Sequence, residues 1–168
     1  MHFEFVHEFD IPLDALELAV LSPDLVDRLR PRLSNVESLT QRKHSLENGM
    51  LSRVWAFQAN VKVPKFAQNY ITKEMCAWDE TSSYDLRQHT SEWSITPNVK
   101  AEWQKYFSAR GTYALAALGS GRTKRVVTGD CDLNVPLVRP MAEKLIVGEV
   151  RKMFEAEADT LRDLATLV

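Results

Sequence analysis

Residues 107–135 form the part of the sequence that most restricts the fold. Phe107, Ala109, Gly111, Tyr113, Leu115 and Ala117 share one parity over eleven positions, and Gly119-Ser120-Gly121 follows as a hairpin turn. The return run puts Val127, Gly129, Cys131, Leu133 and Val135 on one side and Lys124, Asp130, Asp132 and Asn134 on the other. Two long strands, apolar on one face and polar on the other, require an antiparallel sheet with something laid across its apolar face. That cover follows in the chain. Pro136 and Pro140 close the strand and open a helix, and Met141 to Leu167 contains no further proline. Leu145, Ile146, Val150, Met153, Phe154, Leu161, Leu164 and Val168 recur at helical spacing. Glu143, Arg151, Lys152, Glu155, Asp159, Arg162 and Asp163 take most other positions.

The N-terminal part supplies more sheet and two short helices. Phe3, Phe5 and Phe9 alternate with His2, Glu4 and Glu8, which predicts a strand ending at Asp10-Ile11-Pro12. Pro12 starts a helix with Leu13, Leu16, Ala19 and Val20 on its apolar side. Ser22-Pro23-Asp24 repeats the start signal for a second helix, from Pro23 to Arg30. From Val36 to Leu46 the alternation is poor, and a strand is expected there on weaker grounds. Leu51, Trp55, Phe57, Ala59 and Val61 share one parity. Strands are also expected over Met75–Thr81 and Arg87–Thr96, joined by a turn near Ser82-Ser83-Tyr84-Asp85.

Composition narrows the class. With 168 residues, 45% hydrophobic and 26% charged, the chain suits one domain with a substantial core. The first ten residues hold three acids, no basic start and no apolar stretch, so a signal peptide is not expected and a cytoplasmic place is. No apolar run approaches the ~18–20 residues a membrane-spanning helix needs. The net charge is -2. The cations Lys100, Lys105, Arg110, Arg122, Lys124 and Arg125 are spread out, a solvated face in place of a nucleic-acid stripe.

The order of strand, two short helices, antiparallel strands and long C-terminal helix resembles the START-like helix-grip superfamily, also called SRPBCC, with its uncharacterised bacterial members as the nearest likeness. The most specific stretch is GTYALAALGSGRTKRVVTGDCDLNVPLVRPMAEKLIVGEV (111–150), and FEFVHEFDIPLDALELAVLSPD (3–24) matches the opening. The resemblance implies an α+β helix-grip fold over 1–168, a curved antiparallel sheet wrapped around the C-terminal helix. It also implies a cavity between sheet and helix. Its motifs are architectural and carry no universal catalytic residue, so function drawn from them is analogy.

The residues expected to line such a cavity are Trp55, Phe57, Trp93, Tyr113, Leu115, Cys131, Leu133 and Phe154, with Arg125 at one end. Walls of this kind suit a hydrophobic, lipid- or isoprenoid-like molecule. The same residues would equally pack a solid core. Gly111, Gly129 and Gly148 favour a cavity, although glycines also serve sheet curvature. Arg125 shares the inward parity and would meet an acidic head group or form an ion pair. Lys62, Lys65, Phe66 and Tyr70 combine charge with aromatics, as a loop touching a membrane surface would.

Catalytic signals are weaker. His2, His7, His44 and His89 form no metal motif, and Cys76 and Cys131 have no near partner, so neither metal nor cofactor is expected. Cys76 and His89 would face each other only if the chain turned at Ser82-Ser83. Asp130 and Asp132 share a face with Lys124 and Asn134, which reads as solvated. The leading expectation is a non-catalytic binder of a hydrophobic molecule. The alternatives are a cyclase or aromatase using Tyr113, His89 or Arg125, and an interaction module whose core is filled by Trp55, Trp93 and Phe154.

Overall fold

The computed structural model describes residues 1–60, 65, 76–119, 121–134 and 139–167. Seven antiparallel strands form one sheet: β1 (His2–Phe9), β2 (Val36–Glu47), β3 (Met50–Ala59), β4 (Ala77–Asp85), β5 (Thr90–Pro97), β6 (Phe107–Ala117) and β7 (Thr123–Leu133). Their order is β1-β7-β6-β5-β4-β3-β2, so the first strand closes one edge by pairing with the last. Helices α1 (Leu13–Leu21) and α2 (Leu25–Leu29) follow β1, a short helix α3 (Ala101–Gln104) precedes β6, and α4 (Arg139–Ala165) ends the fold. This is the α+β helix-grip arrangement. At 1.5 Å per residue, the 27 residues of α4 run about 40 Å. No helix among the described residues is long and apolar enough to cross a membrane.

The alternation read in the sequence becomes the two faces of the sheet. Phe3, Phe5 and Phe9 of β1, Tyr113 and Leu115 of β6, and Val127 and Cys131 of β7 are buried on the face that carries the helices. Asp130 and Asp132 point the other way and are largely exposed. In β2 the register shifts twice, between Val36 and Ser38 and between Gln41 and Lys43. Each bulge inserts a residue and reverses the parity beyond it, hence the poor alternation there. The β2–β3 turn runs through Asn48 and Gly49, both with positive φ (52° and 80°), as a two-residue hairpin of this hand requires.

Two expectations need correction here. The turn between β4 and β5 lies after Asp85, not at Ser82-Ser83-Tyr84-Asp85. The Asp85 Oδ1 accepts the amides of Arg87 (2.8 Å) and Gln88 (3.2 Å), a side-chain cap that sets the turn later. Ser82 and Tyr84 continue β4 and are buried. As a result Cys76 and His89 sit beyond opposite ends of the strand, about 30 Å apart at the usual rise per residue, and do not pair.

Gly111 and Gly129 do not open a cavity. Gly111 and Gly129 face each other across β6 and β7, and Trp93 is the register partner of Gly111. A Cβ on either would lie 2.6 Å from the Trp93 Cζ2, so the two glycines make room for the indole. At Gly148 no atom of the described residues outside the helix lies within 4 Å of such a Cβ, so the position faces open space.

Along α4, Val150, Ala158, Leu161 and Leu164 are buried, while Ile146, Met153 and Phe154 are half-buried. Leu145, expected on the buried stripe, is 65% exposed. Conversely Glu143, expected among the polar positions, is buried and accepts the Leu133 amide (3.0 Å) and Arg139 Nε (2.9 Å). Those two donors hold its carboxyl below the ordinary range.

Candidate functional site in the interior

The helix is seated on one side of the concave sheet. Its main contacts are with α1, α2, β1 and β7. Over β3, β4 and β5 the space is spanned by long side chains. Trp55 packs edge-on against Phe57, Phe57 stacks on Trp78 at 5.1 Å, and Trp93 and Phe154 lie 5.9 Å apart. Between them remains a void of about 20 Å3, bordered on the sheet side by Trp55, Phe57, Glu80, Trp93 and Ile95. Val150, Met153, Phe154 and Glu157 border it from α4, and Leu29 from α2.

Of the nine residues the sequence pointed to, Trp55, Phe57, Trp93 and Phe154 meet at this void. Tyr113, Leu115, Arg125 and Cys131 are buried elsewhere on the same concave face, and Leu133 is half-buried at the end of β7. Burial keeps the Cys131 thiol protonated, with its pKa pushed up to about 11. Burial likewise raises the Tyr113 hydroxyl, whose ring stacks on Tyr84 at 5.7 Å. Of the proposed membrane-touching segment, Lys62, Phe66 and Tyr70 lie outside the described residues, as do Val135, Pro136 and Val168.

Arg125 points inward, as its parity required, and has no exposed surface. Its Nη1 donates to Glu157 Oε2 at 2.7 Å and its Nη2 to the Phe154 carbonyl at 2.8 Å. Arg53 reaches the other oxygen of Glu157 at 3.9 Å, lies 4.2 Å over the Trp55 ring and donates weakly to Ser82. Two arginines thus share one acid in the core. His7 lies 3.4 Å from Arg125 Nη2; burial, then the Arg125 charge, lower its pKa to about 4.

A second polar group forms at the α1 side. Glu17 Oε1 accepts Tyr84 Oη at 2.6 Å and meets His89 Nδ1 at 2.7 Å. His89 itself has φ of 56°, held in the turn where its carbonyl accepts the Leu115 amide at 2.8 Å. Sequence reasoning missed Arg53, Glu80, Glu157 and Glu17. The first three had a signal. Arg53 shares the parity of Trp55 and Phe57, Glu80 that of Trp78 and Tyr84, and Glu157 sits three residues after Phe154 and four before Leu161.

Two residues that border the void carry polar groups without a partner among the described residues. The Trp93 Nε1 is buried with no acceptor, and the Glu80 carboxyl has no hydrogen bond or ion pair among the described residues. Burial, and then the Glu157 carboxylate, push the Glu80 pKa up to about 7, against the pull of Arg53. An unmatched donor and acceptor beside one void are what a ligand site presents, since settled cores pair such groups. The opposite face of the sheet carries an open depression of about 570 Å3 lined by hydroxyls, His2, Arg110 and Asp130. Among the described residues no three His, Cys or acidic side chains gather as a metal site.

A family model for proteins of unknown function, DUF2505, matches residues 4–164. The chain belongs to the DUF2505 family. Comparison with curated protein sequences finds no match for this DUF2505 chain. Solved structures resemble it along nearly its whole length. TTHA0849 from Thermus thermophilus is 18% identical with a TM-score of 0.63, covering 99% of this chain and 98% of that one. The Zhui aromatase/cyclase from Streptomyces sp. R1128 is 14% identical with a TM-score of 0.66, covering 99% and 93%. Norcoclaurine synthase from Thalictrum flavum, in complex with dopamine and hydroxybenzaldehyde, is 12% identical with a TM-score of 0.65, covering 97% and 87%. At these identities the likeness gives the DUF2505 chain its fold class and no activity.

Proposed function

We propose that this DUF2505 protein binds a hydrophobic small molecule, lipid- or isoprenoid-like in its apolar bulk, between the concave sheet and α4, and carries it unchanged in the bacterial cytoplasm. The seating of α4 carries the reading. A helix resting directly on the middle strands would leave nothing to vacate. Here the gap over β3–β5 is filled by side chains, two of them the half-buried Met153 and Phe154. A void of about 20 Å3 has room for no more than one water, for which roughly 10–15 Å3 suffices. A ligand therefore enters by displacing Met153 and Phe154, a minor state that binding makes dominant. Trp55, Phe57 and Trp93 would form its wall, while Tyr113, Leu115, Cys131 and Leu133 would line a cavity enlarged towards β6 and β7. Arg125 serves by holding Glu157 in place. The fold likeness to an aromatase/cyclase and to a synthase seen with two aromatic molecules supports a small-molecule site on this fold.

Native mass spectrometry of gently purified protein, with organic extraction, tests the reading. A discrete apolar adduct lost on denaturation is expected. A clean apo mass, together with no uptake of an added naphthalene derivative, would replace it with the filled-core interaction module that the small void favours. A cyclase-like enzyme draws on one observation, the proton-exchanging carboxyl of Glu80 at the void, and turnover lost in Glu80→Gln would establish it.

A further inference from the structure

Glu80 differs from the other inward-facing acids described here. Glu157 is met by Arg125, Glu17 by Tyr84 and His89, and Glu143 by the Leu133 amide and Arg139. The Glu80 carboxyl has no donor among the described residues, and its register partners are Trp55 on β3 and Ile95 on β5. A carboxyl set among rings without a donor is an acceptor awaiting one.

Resting on the reading that the interior takes up an apolar molecule, we propose that Glu80 recognises the polar end of that ligand and that this end is a cationic nitrogen, an amine or amidine. An ionised carboxylate only accepts, so it turns away carboxylate and phosphate heads. Glu157 borders the same void and adds a second acidic side chain beside it. Of the two arginines, Arg125 is engaged with Glu157 and the Phe154 carbonyl, while Arg53, set over Trp55, acts on Glu80 through its charge alone.

Charge balance gives the exchange its form. With Glu80 protonated, Arg53, Arg125 and Glu157 leave the interior at one positive charge. A bound cation with Glu80 ionised leaves the same charge, so one proton departs to solvent for each cation bound. Among the described residues, the charged groups facing Glu80 are Glu157 from α4, which keeps it protonated, and Arg53 from β3, which opposes this. The neighbours from β5 and α2, Trp93, Ile95 and Leu29, carry no charge. Because Glu80 is protonated up to about pH 7, amine affinity should rise almost tenfold per unit as pH increases towards that value and level off above it.

The test compares 2-naphthylmethylamine with 2-naphthylmethanol, matched in shape, by calorimetric titration into wild-type protein and Glu80→Gln at two pH values. In wild type at pH 8 the amine should bind at least tenfold tighter than the alcohol. That preference should fall about tenfold at pH 6, and should be absent in Glu80→Gln at either pH. Equal binding of the two by wild type at pH 8, or a preference that survives Glu80→Gln, would overturn the assignment while leaving apolar uptake intact. Uptake of neither probe would overturn both. The wild-type pH comparison decides the matter even if the variant folds poorly.

Discussion

Arg125 on β7 and Glu157 on α4 meet at 2.7 Å in the centre of the molecule, with the arginine wholly enclosed. This ion pair ties helix to sheet on the side where α4 rests, and Arg53 leans on the same acid from β3. Removing one member leaves a buried charge unmatched. Glu157→Gln should therefore cost about 3–5 kcal/mol, read from the urea midpoint. The double variant Arg125→Met/Glu157→Met should lose clearly less than the two single changes added together.

Glycine substitutions should separate by what waits above each position. At Gly129 a methyl group would sit 2.5 Å from Phe3 Cζ and 2.6 Å from the Trp93 ring, so Gly129→Ala should cost about 1–3 kcal/mol. Shrinking the indole with Trp93→Phe should return part of that loss. Gly111→Ala should not be rescued this way, because its methyl group also meets the Thr128 carbonyl oxygen at 2.0 Å. Gly148→Ala, with open space before it, should instead stabilise the helix by up to about 1 kcal/mol. Thermal melts of the four variants check the ranking.

Two groups should give stability opposite pH slopes. His7 titrates near 4 when folded and near 6.5 when unfolded, so the unfolded chain takes up protons first and stability falls as pH drops from about 6.5 to 4. Glu80 titrates near 7 when folded and near 4.5 when unfolded. The native state holds its proton longer, and stability falls as pH rises from about 4.5 through 7. Urea melts across this range should show the two slopes offsetting one another between about pH 4.5 and 6.5. In Glu80→Gln the alkaline-side loss should disappear and the acid-side loss remain.

The bonds of Glu17 to Tyr84 and His89 join α1 to β4 and to the β4–β5 turn. Glu17→Ala strands the Tyr84 hydroxyl and should cost about 1–3 kcal/mol by thermal denaturation. Adding Tyr84→Phe to it should recover part of the loss, because the orphaned hydroxyl goes with it.

How far the sequence could be read depended on the kind of signal. β1, β6 and β7 alternate cleanly because one face meets the core and the other meets water, so period and fold agree at Phe3, Tyr113 and Val127. The start at Pro12 and the long C-terminal helix were equally direct, whereas α2 begins at Leu25 behind Asp24, and Ser22 instead ends α1. Ser82 and Tyr84 were misplaced because a serine pair resembles a turn, while the side chain that sets the turn is Asp85. Site residues were harder for a related reason. Arg53, Glu80 and Glu157 obey the periodicity of buried positions, yet a charge on an inward position is ordinarily excluded. Arg53 and Glu157 are admitted by their mutual interaction across β3 and α4, which leaves no trace in local pattern, whereas Glu80 has no such partner among the described residues. Leu145 shows the converse, an apolar residue in helical register with no neighbour to cover it.

The two bulges of β2 bear on the protein's behaviour in concentrated solution. Among the described residues β2 ends the sheet and has a strand neighbour on one side only, β3. A straight, regular border would offer an incoming strand an even row of amides and carbonyls, the starting point for edge-to-edge aggregation. Here the row breaks at both register shifts, and Arg42, Lys43 and Glu47 stand along it. A second molecule approaching in parallel finds no stretch long enough to zip against, so the border resists fibre growth by its own irregularity.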